Sequence, residues 1–247
     1  MCAMVLLFVG AALIAVLAGG VAAVAGFGIG SLLTPLVALA YGTKVAVVLV
    51  SIPHVAATAL RAWMLRDHVN RRVLLTFGAA SAAGGLVGAV LHGSLGSRTL
   101  GSVLGALLLF SGVSGLTGLT ARLRINGTGW ALATGIVSGG FGGLVGNQGG
   151  IRTAALLHFR LEAVPLVATA TAIGLAVDAA RIPVYLAGSA GEILAHWPLV
   201  AIMTAGVLAG TIVGTPLLRR LPEQTFRRVV FGLVALLGVA FLTGLLR

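Results

Sequence analysis

The sequence predicts an all-α integral membrane protein: about eight long helices plus two short half-helices, forming two inverted repeats in one transmembrane domain, residues 1–247. Three observations carry that expectation. Charged residues make up 9% of the chain and hydrophobic residues 59%, whereas a soluble domain carries about 25% charged residues. Mean hydropathy is +1.13, and the apolar runs are continuous instead of alternating, which favours spanning helices over barrel strands. Two of the runs are too short to span, and each follows a glycine-rich break.

The first apolar run, residues 4–25, has no basic leader and reads as a retained helix, not a cleaved signal. It ends at Gly26, Phe27, Gly28, Ile29 and Gly30, and a short segment, residues 31–40, follows. Residues 45–65 contain Pro53 and His54, where the proline is expected to bend the helix and free a carbonyl. Residues 73–91 and 100–119 complete the first half. The second half opens with residues 129–145, breaks through the glycine-rich stretch 139–150, and resumes in a short segment at 151–157. Residues 164–187, 197–218 and 229–246 follow, with Pro165 and Pro183 shaping the ends of the first of these.

The halves correspond at an offset of about 120: Gly30 with Gly150, Ser51 with Thr171, Arg61 with Arg181. After a small insertion, Val87 and Gly88 align with Val213 and Gly214, Leu95 with Leu221, and Thr99 with Thr225. Repeat one is therefore residues 1–122 and repeat two 123–247. Loop charge sets their relative orientation. Basic residues crowd the loops around Arg66, Arg71 and Arg72, around Arg122 and Arg124, and around Arg219, Arg220, Arg227 and Arg228. The loop at 188–196 has no Lys or Arg and contains Glu192, although it occupies the repeat position of Arg71-Arg72. Equivalent loops of opposite character lie on opposite faces, which makes the repeat inverted. The basic loops are then internal, Lys44, Arg98 and Arg247 external, and both termini external.

A helix interrupted by glycine exposes unpaired backbone N–H groups at the start of the half-helix that follows, with a partial positive charge. Such an end accepts an anion. In the first half it comprises Gly28, Gly30 and Ser31, with Ser31 able to cap or donate; in the second, Asn147, Gln148, Gly149 and Gly150, with Arg152 one turn on. Inversion brings the two ends together, and one anion site between them is the economical arrangement. Arg152 adds a full charge there, and a guanidinium suits an oxyanion better than lysine. Arg181 and Asp178 share a helix face at i, i+3, so Arg181 is a substrate or gating candidate, and Asp178 a charge partner or proton carrier. His54 is a second candidate for coupling, as a buried group able to titrate. Arg61 has Thr58 where Arg181 has its acid, so it is either an unpaired substrate ligand or a side chain reaching toward the inner face, and its nearness to Arg66 favours the latter. His68, His92, His158 and His196 fall near span ends and need no special role.

Other chemistry is not expected. The net charge of +11 sits in short loops between spans, which is positive-inside bias and not a nucleic-acid surface. Cys2 is the only cysteine, so there is no internal disulfide or cysteine metal cluster. No catalytic constellation, metal-ligand spacing or cofactor site stands out. Gly26, Gly28 and Gly30 lack the strand and downstream acid of a dinucleotide site. The expected partners are a small oxyanion and the lipid bilayer. Four-residue glycine spacings at Gly84/Gly88, Gly101/Gly105 and Gly206/Gly210/Gly214 are for helix packing. Such faces would serve internal contacts or a homodimer equally well.

Residues 26–35, followed by Lys44, Val45, Ala46 and Ser51, resemble the first half of the TauE/SafE sulfite exporter family. Ser138 to Gly143 and the loop Arg219, Arg220, Leu221, Pro222 and Glu223 are similar to its second repeat. The resemblance covers nearly the whole chain. It implies a multi-pass permease of the bacterial inner (plasma) membrane, an exporter of sulfite, a sulfonate such as sulfoacetate, or a related oxyanion. The chain departs from the pattern by inserting residues 144–148 before Gly149, and by carrying Ala154 and Ala155 where the first half has Thr34 and Pro35. The second break is accordingly the expected source of selectivity. A passive anion channel and a non-transporting accessory subunit are the alternative readings.

Overall fold

The computed structural model describes the backbone of residues 2–119, 127–218 and 223–245, with side chains from 6–119, 127–213 and 228–245. Arg122, Arg124, Arg219, Arg220 and Leu221 lie outside the described residues, as does the 122/123 boundary. The chain is helical in the order α1 (Cys2–Ala25), α2 (Ile29–Met64), α3 (Arg71–Val73), a π-helical turn (Leu74–Gly78), α4 (Ala79–Ser94), α5 (Ser97–Thr117), α6 (Thr128–Val145), α7 (Gly149–Leu156), α8 (Ala163–Ala195), α9 (Trp197–Leu218) and α10 (Glu223–Leu242). Five of the described helical stretches are long and apolar enough to cross a membrane: Leu6–Ala25, Ile29–Met64, Arg71–Ser94, Ser97–Thr117 and Ala163–Ala195. Large apolar side chains such as Leu13, Leu17 and Val213 point outward, as a lipid-facing surface requires.

The expected short segment and long helix of the first half form one assigned helix, α2. It is two rods meeting at Gly42, whose φ of 75° and ψ of 160° only glycine tolerates readily. Pro53 sits inside the second rod without taking its backbone out of helical geometry, so the bend falls at Gly42 and not at the proline. In the second half α7 tightens into a 3-10 turn, Leu157–Phe159, and Arg160 at φ 50° makes the corresponding corner. Helix α8 continues past the expected end at 187 to Ala195, with a bend at Ser189.

Glycine contacts fix how the helices run. A Cβ on Gly84 would stand 2.1 Å from the Ile136 carbonyl oxygen, and one on Gly88 2.0 Å from that of Gly140. Helices α4 and α6 thus touch backbone to backbone, and run parallel because both numbers rise together. Gly206 meets Ala12 and Ala15, Gly210 meets Val16, and Gly19 meets Val207 and Thr211, so α1 and α9 are parallel too. Gly105 against Phe241, Gly112 against Ala235 and Gly115 against Phe231 make α5 and α10 antiparallel. Helix α8 runs against the second rod of α2, with His54 beside Asp178 and Thr58 beside Gly174, but along α4, with Gly78 beside Ile173 and Gly85 beside Val177. Helix α9 starts where His196 meets the ring of Tyr41 edge-on, and packs along α2 from there.

Corresponding helices of the two halves therefore run in opposite directions. Each half's first helix packs on the other half's fourth: α1 on α9, and α6 on α4. Gly206 and Gly210 are occupied within the chain by α1. Without water to drive association, such close backbone approach supplies van der Waals attraction between helices. The main core gathers Leu33, Leu49, Leu100, Leu104, Met203 and Phe241 from both halves.

Candidate functional site

The two glycine breaks meet. A Cβ on Gly30 would stand 2.2 Å from the carbonyl oxygen of Gly146, and one on Gly149 2.4 Å from Phe27. Ser31 Oγ donates to Asn147 Oδ1 at 3.3 Å across the junction. Both half-helices begin without a side-chain cap, α2 after Gly28 and α7 after Gln148. The first ladder bonds run from Leu32 N to Gly28 O at 3.0 Å and from Arg152 N to Gln148 O at 2.9 Å. The N–H groups of Ile29, Gly30 and Ser31, and of Gly149, Gly150 and Ile151, precede those bonds, so two positive helix ends converge. Ser31 therefore bridges the breaks instead of capping its own helix. With Gly28 at φ 135°, the chain lacks the extended geometry a cap requires.

Around this junction lies a cavity lined from the first half by Gly26, Phe27, Gly28, Gly30, Ser31, His54, Thr58 and Arg61, and from the second by Gly146, Asn147, Gln148, Gly149, Arg152, Thr171 and Gly174. Its volume is about 20 Å³, room for one or two waters. Arg152 is 4% exposed; its Nη2 donates to the Gly26 carbonyl at 3.0 Å, while Nε and Nη1 are buried without a partner. Arg61 is also 4% exposed, with Nε and Nη1 unpartnered. The favoured expectation that Arg61 reaches for the inner face is corrected: it follows His54 by seven residues and Thr58 by three on one face of α2, and lines the cavity with them.

Arg181 and Asp178 sit one layer behind the cavity wall. Asp178 Oδ1 accepts from Arg181 Nε at 2.9 Å and lies 2.8 Å from Arg181 Nη2 in an ion pair. It also lies 2.8 Å from His54 Nδ1. Arg181 Nη1 donates to the Gly142 carbonyl at 2.9 Å, Tyr185 OH donates to Gly143, and His92 Nδ1 lies 2.8 Å from the Leu144 carbonyl. Three successive carbonyls at the end of α6 are thus satisfied by side chains of α8 and α4, which fixes the second break.

The structure brings Gly28, Gly30, Ser31, Asn147, Gln148, Gly149, Arg152 and His54 to one cavity. It does not bring Gly150, which packs against Ser111, nor Arg181 and Asp178, which brace the wall. Arg61 also lines the cavity, as do Thr58, Thr171 and Gly174, for which the sequence carried no site expectation. The sequence signal for Arg61 is its repeat counterpart, Arg181.

A wider cavity, about 500 Å³, opens at the far end of α7, lined by Asn70, Arg72, Thr76, Trp130, Thr134, His158 and Phe159. Val73, Phe77, Leu156, Ala170 and Ile173 form an apolar cluster between the two cavities. Along α7 and its 3-10 turn, Arg152 faces the inner cavity, Leu156 the cluster and Phe159 the wide one.

The family model described as Sulfite exporter TauE/SafE matches residues 11–241 of the chain. No significant match to a curated protein or to a solved structure was found.

Proposed function

The chain belongs to the TauE/SafE sulfite exporter family, a family of membrane transporters, and from that premise we propose that it carries a small oxyanion, sulfite or an organosulfonate, across the bacterial inner membrane. The anion is held between the two half-helix ends by backbone N–H groups at Gly28–Ser31 and 147–149, and by Arg152. Residues 1–122 and 123–247 act as inverted halves that move against each other, exposing the site alternately to either side. Arg181 and Asp178 keep the second break rigid, and His54 links that pair to the cavity as a coupling element. The apolar cluster of Phe77, Leu156 and Ile173 is the layer the anion crosses between the wide cavity and the site. Export is the direction. The activity is transport without a resident cofactor.

One observation supports this reading above the rest: two uncapped helix starts and two incompletely paired buried arginines face one cavity. An unpaired buried charge is costly and is kept where it has a ligand. The test is flux in proteoliposomes. Counterflow of labelled sulfite against unlabelled sulfite, saturating with concentration, is the expected result. Flux that follows only the electrochemical gradient, with no exchange, identifies a passive channel. No flux of any anion returns the chain to an accessory role.

A further inference from the structure

We infer that the site selects a doubly charged inorganic oxyanion over singly charged organosulfonates, and that Arg61 supplies the second of the two charges that make the selection. The inference rests on the reading of the junction cavity as an oxyanion site and names the substrate class within it.

Three arginines, Arg61, Arg152 and Arg181, are buried around the junction. Asp178 is the buried carboxylate among the described residues, and it is engaged by Arg181 and His54. Arg181 is completed by the Gly142 carbonyl. Arg61 and Arg152 have no carboxylate, and Nε and Nη1 of each are buried without a partner. A guanidinium does not lose its proton in a protein, so both charges persist. A dianion balances them; a monoanion leaves one buried charge uncompensated, which is the arrangement a protein interior tolerates least.

The walls exclude an organic tail. Gly30 is closed by the Gly146 carbonyl, Gly149 by Phe27, and Gly174 by Arg152 Nη1 at 2.9 Å from where a Cβ would stand. Much of the remaining lining is polar: Ser31, Thr58, Asn147 and Thr171. A sulfonate carries its single charge on three oxygens and has carbon where sulfate has a fourth oxygen and sulfite a lone pair. That carbon and its tail would take the place of a contact to Arg61 or to an amide.

The experiment measures affinities of purified full-length protein for sulfite, sulfate and thiosulfate, and for methanesulfonate, isethionate and nitrate. It is run at mildly alkaline pH, where sulfite is the dianion. The expected result is that at least one dianion binds about tenfold or more tighter than every monoanion, the scale of one charged hydrogen bond. Arg61→Gln should remove that preference while methanesulfonate binding changes little, and Arg61→Lys, which keeps the charge, should retain most of it. Methanesulfonate binding as tightly as the best dianion overturns the inference, as does a full dianion preference in Arg61→Gln. If Arg61→Gln does not fold, the wild-type panel and Arg61→Lys still decide. Failure of every anion to bind wild type overturns both this inference and the oxyanion reading, whereas binding without charge preference overturns this inference alone.

Discussion

Gly30→Ala is a sharp test of the junction, because the added methyl has nowhere to go. Its Cβ would stand 2.2 Å from the Gly146 oxygen and 3.3 Å from the Gly146 carbonyl carbon. Carbon–oxygen contacts settle at about 3.3–3.6 Å, so the two breaks must separate by about 1 Å. Both sides are backbone at a helix terminus, and no flexible side chain can absorb the shift. Overpacking of this kind costs about 1–3 kcal/mol, or a fall in Tm of about 2–12 °C for a chain of this length. It also displaces the converging N–H groups, so stabilisation by sulfite should drop together with Tm. Gly10→Ala is the control, since nothing lies within 4 Å of that position. Thermal unfolding of both variants in detergent, with and without sulfite, reads the effect. If Gly30→Ala behaves like Gly10→Ala in both stability and sulfite response, the two breaks do not touch as described.

Other perturbations reach the layers around the site. Asp178→Asn strips Arg181 of its carboxylate at full burial and should cost about 3–5 kcal/mol; the double variant Asp178→Asn, Arg181→Gln should recover part of it in thermal unfolding. A single variant as stable as wild type would show that the pair does not brace α6. In a Cys2→Ser background, a cysteine replacing Thr134 in the wide cavity should react readily with a water-soluble maleimide, and one replacing Phe77 in the apolar cluster should be protected. Equal reactivity would mean the cluster does not close the passage.

Much of the architecture was legible because membrane burial imposes simple rules on sequence. Apolar runs had to be helices, and the glycine breaks had to lie where helices stop. What hydropathy does not encode is the rotation of each helix. Arg61 illustrates this: its proximity to Arg66 pointed outward, while its i+7 relation to His54 placed it in the cavity. The Asp178–Arg181 pair was visible from i, i+3 spacing, but the acceptor at Gly142 lies 39 residues away and is set by packing. Gly150 corresponds to Gly30 in the repeat, yet Gly149 faces Phe27 and Gly150 faces Ser111. Equivalence in sequence thus did not carry over to equivalence in contact. The glycines of α9 could have served a dimer; only the packing of α1 against Gly206 and Gly210 shows where they are used.

The central claim is an oxyanion site at the meeting of the two breaks, with Arg152 as a ligand. Its most direct test is thermal stabilisation by sulfite, with wild type and Arg152→Ala side by side. At a hundredfold excess over Kd, a ligand bound only by the folded state adds about 2.7 kcal/mol, a rise in Tm of about 5–10 °C on the scale above. That rise is expected in wild type, and its loss in a folded Arg152→Ala. Equal stabilisation of both proteins, or none in wild type, would contradict it.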